Sequence, residues 1–337
     1  MTTRRLQAYV PSKVVARPLP GFRELYGLHS ARELAADMGE VLRGVAAWNR
    51  FQLGPSSLGL LRPDLALPAY AGLVPEDRLA PIYNLFDREN GGKRYSQRVT
   101  RRTVRDFRGG RLSYDDHAGT DFVCPPGTPL VAAAPGLVVG HRFRWLRGGL
   151  TVVVDHGLGV LTQYTHCSRV IAARGDRVER GEPVALSGVS GIDMFGFAPW
   201  APPHIHFTVF RGGVAIDPFL APGEEALPGS WLDRNEPRPS GPMADDLAAP
   251  GPSPVDETAL EEVAAACTDA RVRQEIDEAR DDPHHLAALL EDALLFDEWA
   301  WPAALRGAAV RPEATPGEAE QPEAVALTLP LPGEQYD

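Results

Sequence analysis

Cysteine is scarce in this chain: Cys124, Cys167 and Cys267 are the only three in 337 residues, and none has C-x-x-C spacing. An odd count without that spacing argues against a disulfide framework and leaves room for at most one pair. No apolar stretch approaches the length needed to span a membrane. The opening "MTTRRLQAYVPSKVVARPLPGF" has early positive charge, but Pro11 and Lys13 interrupt any apolar core, so no standard secretory signal is read there. No aromatic-rich nucleic-acid motif accompanies the basic stretch "RVTRRTVRDFR" (98–108), which argues against nucleic acid as a partner.

What is present is an ordinary globular composition, 23% charged and 44% hydrophobic, with the charge unevenly spread. The formal net of −11 divides into +8 over residues 1–110, zero over 111–220 and −19 over 221–337. Three charge characters suggest three organisational units.

Residues 30–52 carry the clearest helical pattern. Ser30 and Glu33 have capping-box spacing, and Leu34, Met38, Val41, Leu42, Val45 and Phe51 recur at helical intervals. Residues 54–95 are rich in turn formers, with "ENGGKRY" (89–95) as a tight turn. From about 100 to 220 the texture becomes short, Val- and Thr-rich runs separated by glycine, the pattern of an antiparallel sheet. Residues 221–254 read as a Pro/Gly-rich linker. Two helices are expected near 255–280 and 283–297, the second capped by Asp282 with Pro283 in its first turn. The Pro- and Glu-rich tail, 309–337, reads as disordered. The expected organisation is thus a basic region with one amphipathic helix (1–104), a β domain (105–220), a linker, an acidic helical segment (255–308) and a tail.

The chemistry sits in the β domain. His204 and His206 in "APPHIHF" share one face of a strand, because side chains at i and i+2 do. Two satisfied surface histidines is the plainer reading of an isolated H-x-H. Here, however, "DDHAGTDF" adds His117 and Asp121, and "QYTHCS" adds His166, all within the same predicted sheet. Three of these groups at strand ends can make a hydrolytic zinc site, which uses three protein ligands and keeps one position open.

The ordered set "HAGTDF", "PPGTPLVAAAPGLVV", "YTHCS", "GDRVERGEPVALSGVSG", "PPHIHF" and "AIDPF" resembles the lysostaphin/LytM-type zinc metallopeptidases over roughly residues 105–220. The resemblance implies a mainly β catalytic domain with an open groove. It implies Zn2+ held by His117, Asp121 and His206, with His166 and His204 as the catalytic histidines. It also implies a zinc endopeptidase acting on peptides of peptidoglycan, cross-link or stem, without a covalent intermediate. Which of His166 and His204 is the general base stays open. Such a substrate lies in the periplasm or outside the cell, whereas no signal peptide is read, so the compartment also stays open. One departure is the long loop "GIDMFGFAPWAPPH" (191–204), with Met194, Phe195, Phe197 and Trp200. It reads equally as a groove wall and as an apolar patch packed on the N-terminal region.

Several nearby residues take a plainer reading. His156 and Cys167 are read as structural, His141 as exposed, and Asp115 and Asp116 as solvated loop residues. "DDPHH" (281–285) is read as a helix start. A non-catalytic relative that binds the wall or activates its hydrolases is the alternative function, and the retention of all five site residues argues against it. A biotinyl- or lipoyl-type carrier, suggested by the rhythm of "GDRVERGEPVALSG", needs a lysine that residues 111–220 do not contain. Finally, the acidic helices expose apolar faces through Leu289, Leu290, Leu294, Leu295 and Trp299. They require a partner surface, which can be the basic N-terminal region, another protein, or each other.

Overall fold

A computed structural model describes residues 5–8, 20–42, 58, 60–76, 80–88, 117–231, 251–306, 308–311 and 325–332. The first elements are β1 (Leu6–Ala8), α1 (Phe22–Leu25), α2 (Ala31–Leu42), α3 (Pro63–Tyr70), β2 (Leu73–Pro75) and β3 (Ile82–Asn84). The sheet-forming stretch runs through β4 (Thr120–Val123), β5 (Pro129–Val131), β6 (Gly136–Arg144), β7 (Gly149–Asp155), β8 (Val160–Val170), β9 (Arg177–Val178) and β10 (Pro183–Ser187). It continues with α4 (Ile192–Phe197), β11 (His204–Arg211) and β12 (Val214–Ile216). After it come β13 (Ser230–Trp231), α5 (Glu257–Ala265), α6 (Ala270–Ala279), α7 (Pro283–Phe296) and β14 (Ala326–Leu327).

The main sheet has ten strands, with the path β3-β4-β11-β8-β7-β6-β9; β12 pairs with β11, and β10 pairs with β5 and β8. Its pairings are antiparallel. The domain expected at 105–220 is therefore mainly β with helical flanks, as its sequence texture implies, and it draws β3 from upstream of residue 105.

Both faces of this sheet are buried. Val152, Val154, Tyr164, Ile205, Phe207 and Val209 enter a core shared with Phe219 and Trp231. The alternate side chains Val153, Leu161 and Phe210 pack beneath Ala288, Leu295 and Phe296 of α7. Double-sided burial explains why "LTVVV" in β7 reads as a continuous apolar run rather than an alternating one.

Four sequence expectations need correction. In α2, Ser30 Oγ accepts from the Glu33 N–H at 3.2 Å, as half of a capping box. Yet the buried side chains are Asp37 and Glu40, while Met38 and Leu42 are exposed. The acidic pair faces the buried guanidinium of Arg144 and the half-buried one of Arg271, and this charge demand overrides apolar periodicity. Residues 43–52 of that expected helix, and "ENGGKRY", lie outside the described residues.

The 255–280 helix is two helices, α5 and α6. The break falls at Asp269, whose side chain accepts from the N–H groups of Arg271 and Val272 and restarts the chain as an N-cap. The 221–254 stretch is not simply a linker, because β13 lies in it and Trp231 is buried in the main core. Nor is the tail wholly disordered. Leu327, Leu329 and Leu331 are fully buried in the same core, with β14 pairing parallel to β13. Their i, i+2, i+4 spacing puts all three on one face, a signal that the surrounding Pro and Glu composition hides.

The apolar residues of α7 divide between two partners. Leu289, Leu290 and Leu294 pack with α5 and α6 and with Trp299, whereas Leu295 packs on the sheet. Asp282 caps this helix by accepting from the N–H groups of His284 and His285, with Pro283 in the first turn.

Candidate metal centre

Strands β4 and β11 are paired so that Asp121 stands opposite His206 and Val123 opposite His204. His117 lies just before β4, four residues ahead of Asp121. This register brings His117 Nε2 to 3.1 Å from Asp121 Oδ2, and His206 Nδ1 to 2.9 Å from Asp121 Oδ1. The two ring nitrogens His117 Nε2 and His206 Nδ1 are 3.1 Å apart. Among the described residues, His117, Asp121 and His206 form a group whose candidate ligand atoms all lie within 4.8 Å of one another. Two imidazole nitrogens and a carboxylate oxygen are a donor set that suits zinc with one position left open.

Local contacts aim these donors. His117 Nδ1–H donates to the Leu85 carbonyl at 2.9 Å, which leaves the Nε2 lone pair facing the centre. Gly119 allows the close approach of β11: a Cβ there would lie 2.7 Å from the Phe207 carbonyl oxygen and 2.8 Å from His206 Nε2.

His204 and His166 complete the ring of polar groups. His204 Nδ1 bonds to the Pro202 carbonyl at 2.8 Å, and its Nε2 lies 3.7 Å from Asp121 Oδ2. The Tyr83 ring stands 5.2 Å from the His204 ring. His166 Nδ1 bonds to the Ser190 carbonyl at 2.8 Å, with the His166 and His204 rings 5.0 Å apart. Regular alternation along β8 would place His166 on the same side as Tyr164, inside the core. Instead His166 adopts φ +67°, and β8 shifts register against β7 and β10 at this point. The irregularity turns His166 into the site while Tyr164 and Cys167 both stay in the core.

All five side chains are buried, with 1% to 4% of their surface exposed. Burial opposes charge on each of the three converging groups. For His117 the Asp121 carboxylate outweighs burial and raises the imidazole pKa. Asp121 is held well below the usual carboxylate range by His117 and His204, again against burial. For His206 burial wins and pushes the pKa down to about 4, so it is neutral, as a ligand must be.

The other singled-out residues fall elsewhere. His156 is buried and bonded at both nitrogens, to the Pro135 carbonyl and to Thr162 Oγ1. His141 is exposed. Cys124 is a free buried thiol, pushed up to about 12 by burial, and Cys167 is shifted upward likewise. Asp115 and Asp116 lie outside the described residues. In the 191–204 loop, Met194 is buried, Phe195 stacks edge-on to Tyr26 of the N-terminal region, and Trp200 remains half exposed. Sequence reasoning missed Tyr83 beside His204 and Phe296 beside His206; both come from distant segments, with no spacing signal to mark them.

The chain is 34% identical over 105 residues to the peptidoglycan DD-endopeptidase ShyA of Vibrio cholerae, a match spanning 31% of this chain and 23% of ShyA. It is 32% identical to the DD-carboxypeptidase/endopeptidase Mpg of Neisseria meningitidis, over 30% of this chain and 22% of that one. The murein hydrolase activator EnvC of Escherichia coli is 36% identical over 27% of this chain and 20% of its own length. The matches thus span under a quarter of these relatives' lengths. The catalytic domain of lysostaphin from Staphylococcus simulans is 29% identical, covering 30% of this chain and 75% of that domain, with a TM-score of 0.26. The family description that matches is peptidase family M23, over residues 115–218, the stretch that holds all five converging side chains; residues 115–218 are a peptidase family M23 domain.

Proposed function

We propose that this chain is a zinc-dependent endopeptidase that hydrolyses peptide bonds in peptidoglycan cross-links or stem peptides. The convergence of His117, Asp121 and His206 within 4.8 Å carries the reading. Zinc held by these three groups supplies Lewis-acid polarisation of a peptide carbonyl and of a water molecule.

The remaining steps belong to the protein. His204, whose Nδ1–H is committed to the Pro202 carbonyl, presents Nε2 as the proton acceptor for the attacking water. His166 is fixed in the same way by the Ser190 carbonyl, its ring 5.0 Å from that of His204. When its Nε2 carries a proton it donates to the developing oxyanion, while the proton that His204 takes from the water passes to the leaving amine. Asp121 stays ionised because its neighbours hold its pKa down, so its charge offsets that of a bound cation.

Metal analysis of the purified chain, combined with digestion of muropeptides and mass spectrometry of the products, tests the reading. One zinc per chain and a cleaved peptide bond are expected. Zinc binding with intact muropeptides would favour instead a role like that in the name of the activator EnvC.

A further inference from the structure

The metal centre and α7 share one face of the sheet. Along β11 the side chains of His204, His206, Thr208 and Phe210 alternate onto one side and those of Ile205, Phe207 and Val209 onto the other. The second set enters the main core, whereas Phe210 packs with Ala288, Leu295 and Phe296 of α7. Phe296, the last residue of α7, reaches the centre itself: its ring stands edge-on to His206, with centroids 6.4 Å apart. A peptide presented to His117, Asp121 and His206 has to lie along this face, where α7 now lies.

Charge fastens the helix there. Arg142 and Arg144 of β6, with Arg147 in the following turn, meet three carboxylates of the helical segment. Arg142 donates to Asp292 Oδ2 at 2.5 Å and to Asp297 Oδ2 at 2.6 Å. Arg142 and Arg144 both bond to Glu275, at 2.7 and 2.9 Å. Arg147 Nε donates to Asp297 Oδ1 at 3.0 Å, and its guanidinium lies 4.0 Å over the Trp299 ring. This cluster adjoins the site, because the Gly148 carbonyl, next after Arg147, accepts from the His166 N–H at 3.0 Å. Gly140 permits the tight seat of α7 on β6, since a Cβ there would lie 2.5 Å from His285 Nδ1.

We propose that α7 with Asp297 is an internal stand-in for an acidic peptide, and that Arg142 and Arg147 are the subsite for substrate carboxylates once α7 lifts. The inference rests on the peptidase reading of the same site and adds a substrate class and a closed state. Lifting α7 with Asp297 strips Arg147 of its carboxylate and leaves Arg142 only Glu275 of α6, and a peptide carrying two or more carboxylates restores the pairing. A neutral peptide cannot, so acidic peptides are selected and also open the site. Hydrolysis by the closed chain is accordingly slow.

The test uses the full zinc-loaded chain and two fluorescent peptides, one with two side-chain carboxylates and its amidated twin. Phe296→Ala with Asp297→Asn loosens α7 and is expected to tighten binding of the dicarboxylate peptide, and to raise its hydrolysis, by about tenfold or more. Adding Arg147→Gln should cancel that gain for the dicarboxylate peptide and leave the amidated twin unaffected. Hydrogen exchange on the unaltered chain decides the matter should these variants not fold: saturating dicarboxylate peptide should accelerate exchange across residues 286–296. Binding with α7 protection unchanged, or a released α7 with no gain in peptide affinity, overturns the proposal. Tighter binding without hydrolysis in the loosened variant would sink the peptidase reading and keep this one. Rapid hydrolysis by a chain whose α7 stays protected would do the reverse.

Discussion

Asp121 faces His206 directly across the β4–β11 ladder, its Oδ1 2.9 Å from His206 Nδ1. The same carboxylate reaches His117 through its other oxygen, at 3.1 Å. One side chain therefore ties together two histidines 89 positions apart in the chain.

Asp121→Asn keeps the shape of that link and removes its charge. Zinc affinity is expected to fall by roughly two orders of magnitude or more, since a neutral amide oxygen replaces an anionic ligand. Competition against a chromophoric chelator measures it. Unchanged affinity would show that zinc takes its ligands elsewhere.

His204→Ala should retain the metal, because the converging donors are His117, Asp121 and His206. Hydrolysis should drop by roughly two or more orders of magnitude, the usual contribution of a positioned general base. Loss of zinc from this variant would reverse the assignment of His204 and His206.

Gly119→Ala probes the close approach of β11. The new Cβ meets a backbone oxygen and the His206 ring below 3 Å, and the backbone atom cannot swing aside. A stability loss of about 1–3 kcal/mol is expected by denaturant unfolding, with weakened zinc binding from a displaced His206. A variant with native stability and native zinc affinity would show that the ladder shifts without strain.

The pairs His117–Asp121 and His204–His206 were visible in the sequence because their spacings, i+4 and i+2, are local, whereas the choice of His117, Asp121 and His206 as ligands came only from the family resemblance. His166 was recognisable only through the motif around it. Regular alternation would have sent it into the core with Tyr164, and the positive φ that prevents this has no glycine to announce it. The buried face of α2 was misread for a different reason. Asp37 and Glu40 look like solvent-facing residues until Arg144 and Arg271, far along the chain, are brought against them. The seat of α7 was equally hidden, since its carboxylates meet arginines some 150 residues away.

Glu291 gives a pH dependence. Burial, with added repulsion from Asp155, pushes its pKa up to about 7 from an ordinary 4.5, despite the Arg311 guanidinium 2.7 Å away. The folded state thus holds this proton more tightly than the unfolded chain does. Its contribution to stability is complete below about pH 4.5 and is lost as pH rises through about 7. Urea midpoints measured from pH 5 to 8 should fall, and Glu291→Gln, which still accepts from Arg311, should flatten that fall. A variant much less stable than the parent at pH 8 would mean that Arg311 needs the charged carboxylate.

The C-terminal segment offers the sharpest test of the corrected boundaries. Leu327, Leu329 and Leu331 are fully buried in the main core. The backbone around them is bonded into the sheet domain: Val131 N–H donates to the Pro330 carbonyl, and Thr328 N–H to the Ala133 carbonyl. Arg180 further clamps the strand by donating to the carbonyls of Ala133 and Ala326. Leu329→Ala leaves a cavity under both bonded segments and should lower stability by about 2–5 kcal/mol, the range for a fully buried leucine. Leu227, 46% exposed, serves as the matched control, and its change to alanine should stay within about 0.5 kcal/mol. Chemical denaturation of the two variants side by side separates the outcomes. Equal, small losses would place residues 325–332 outside the core; a large loss for Leu329→Ala alone makes them an integral part of the core beneath the main sheet.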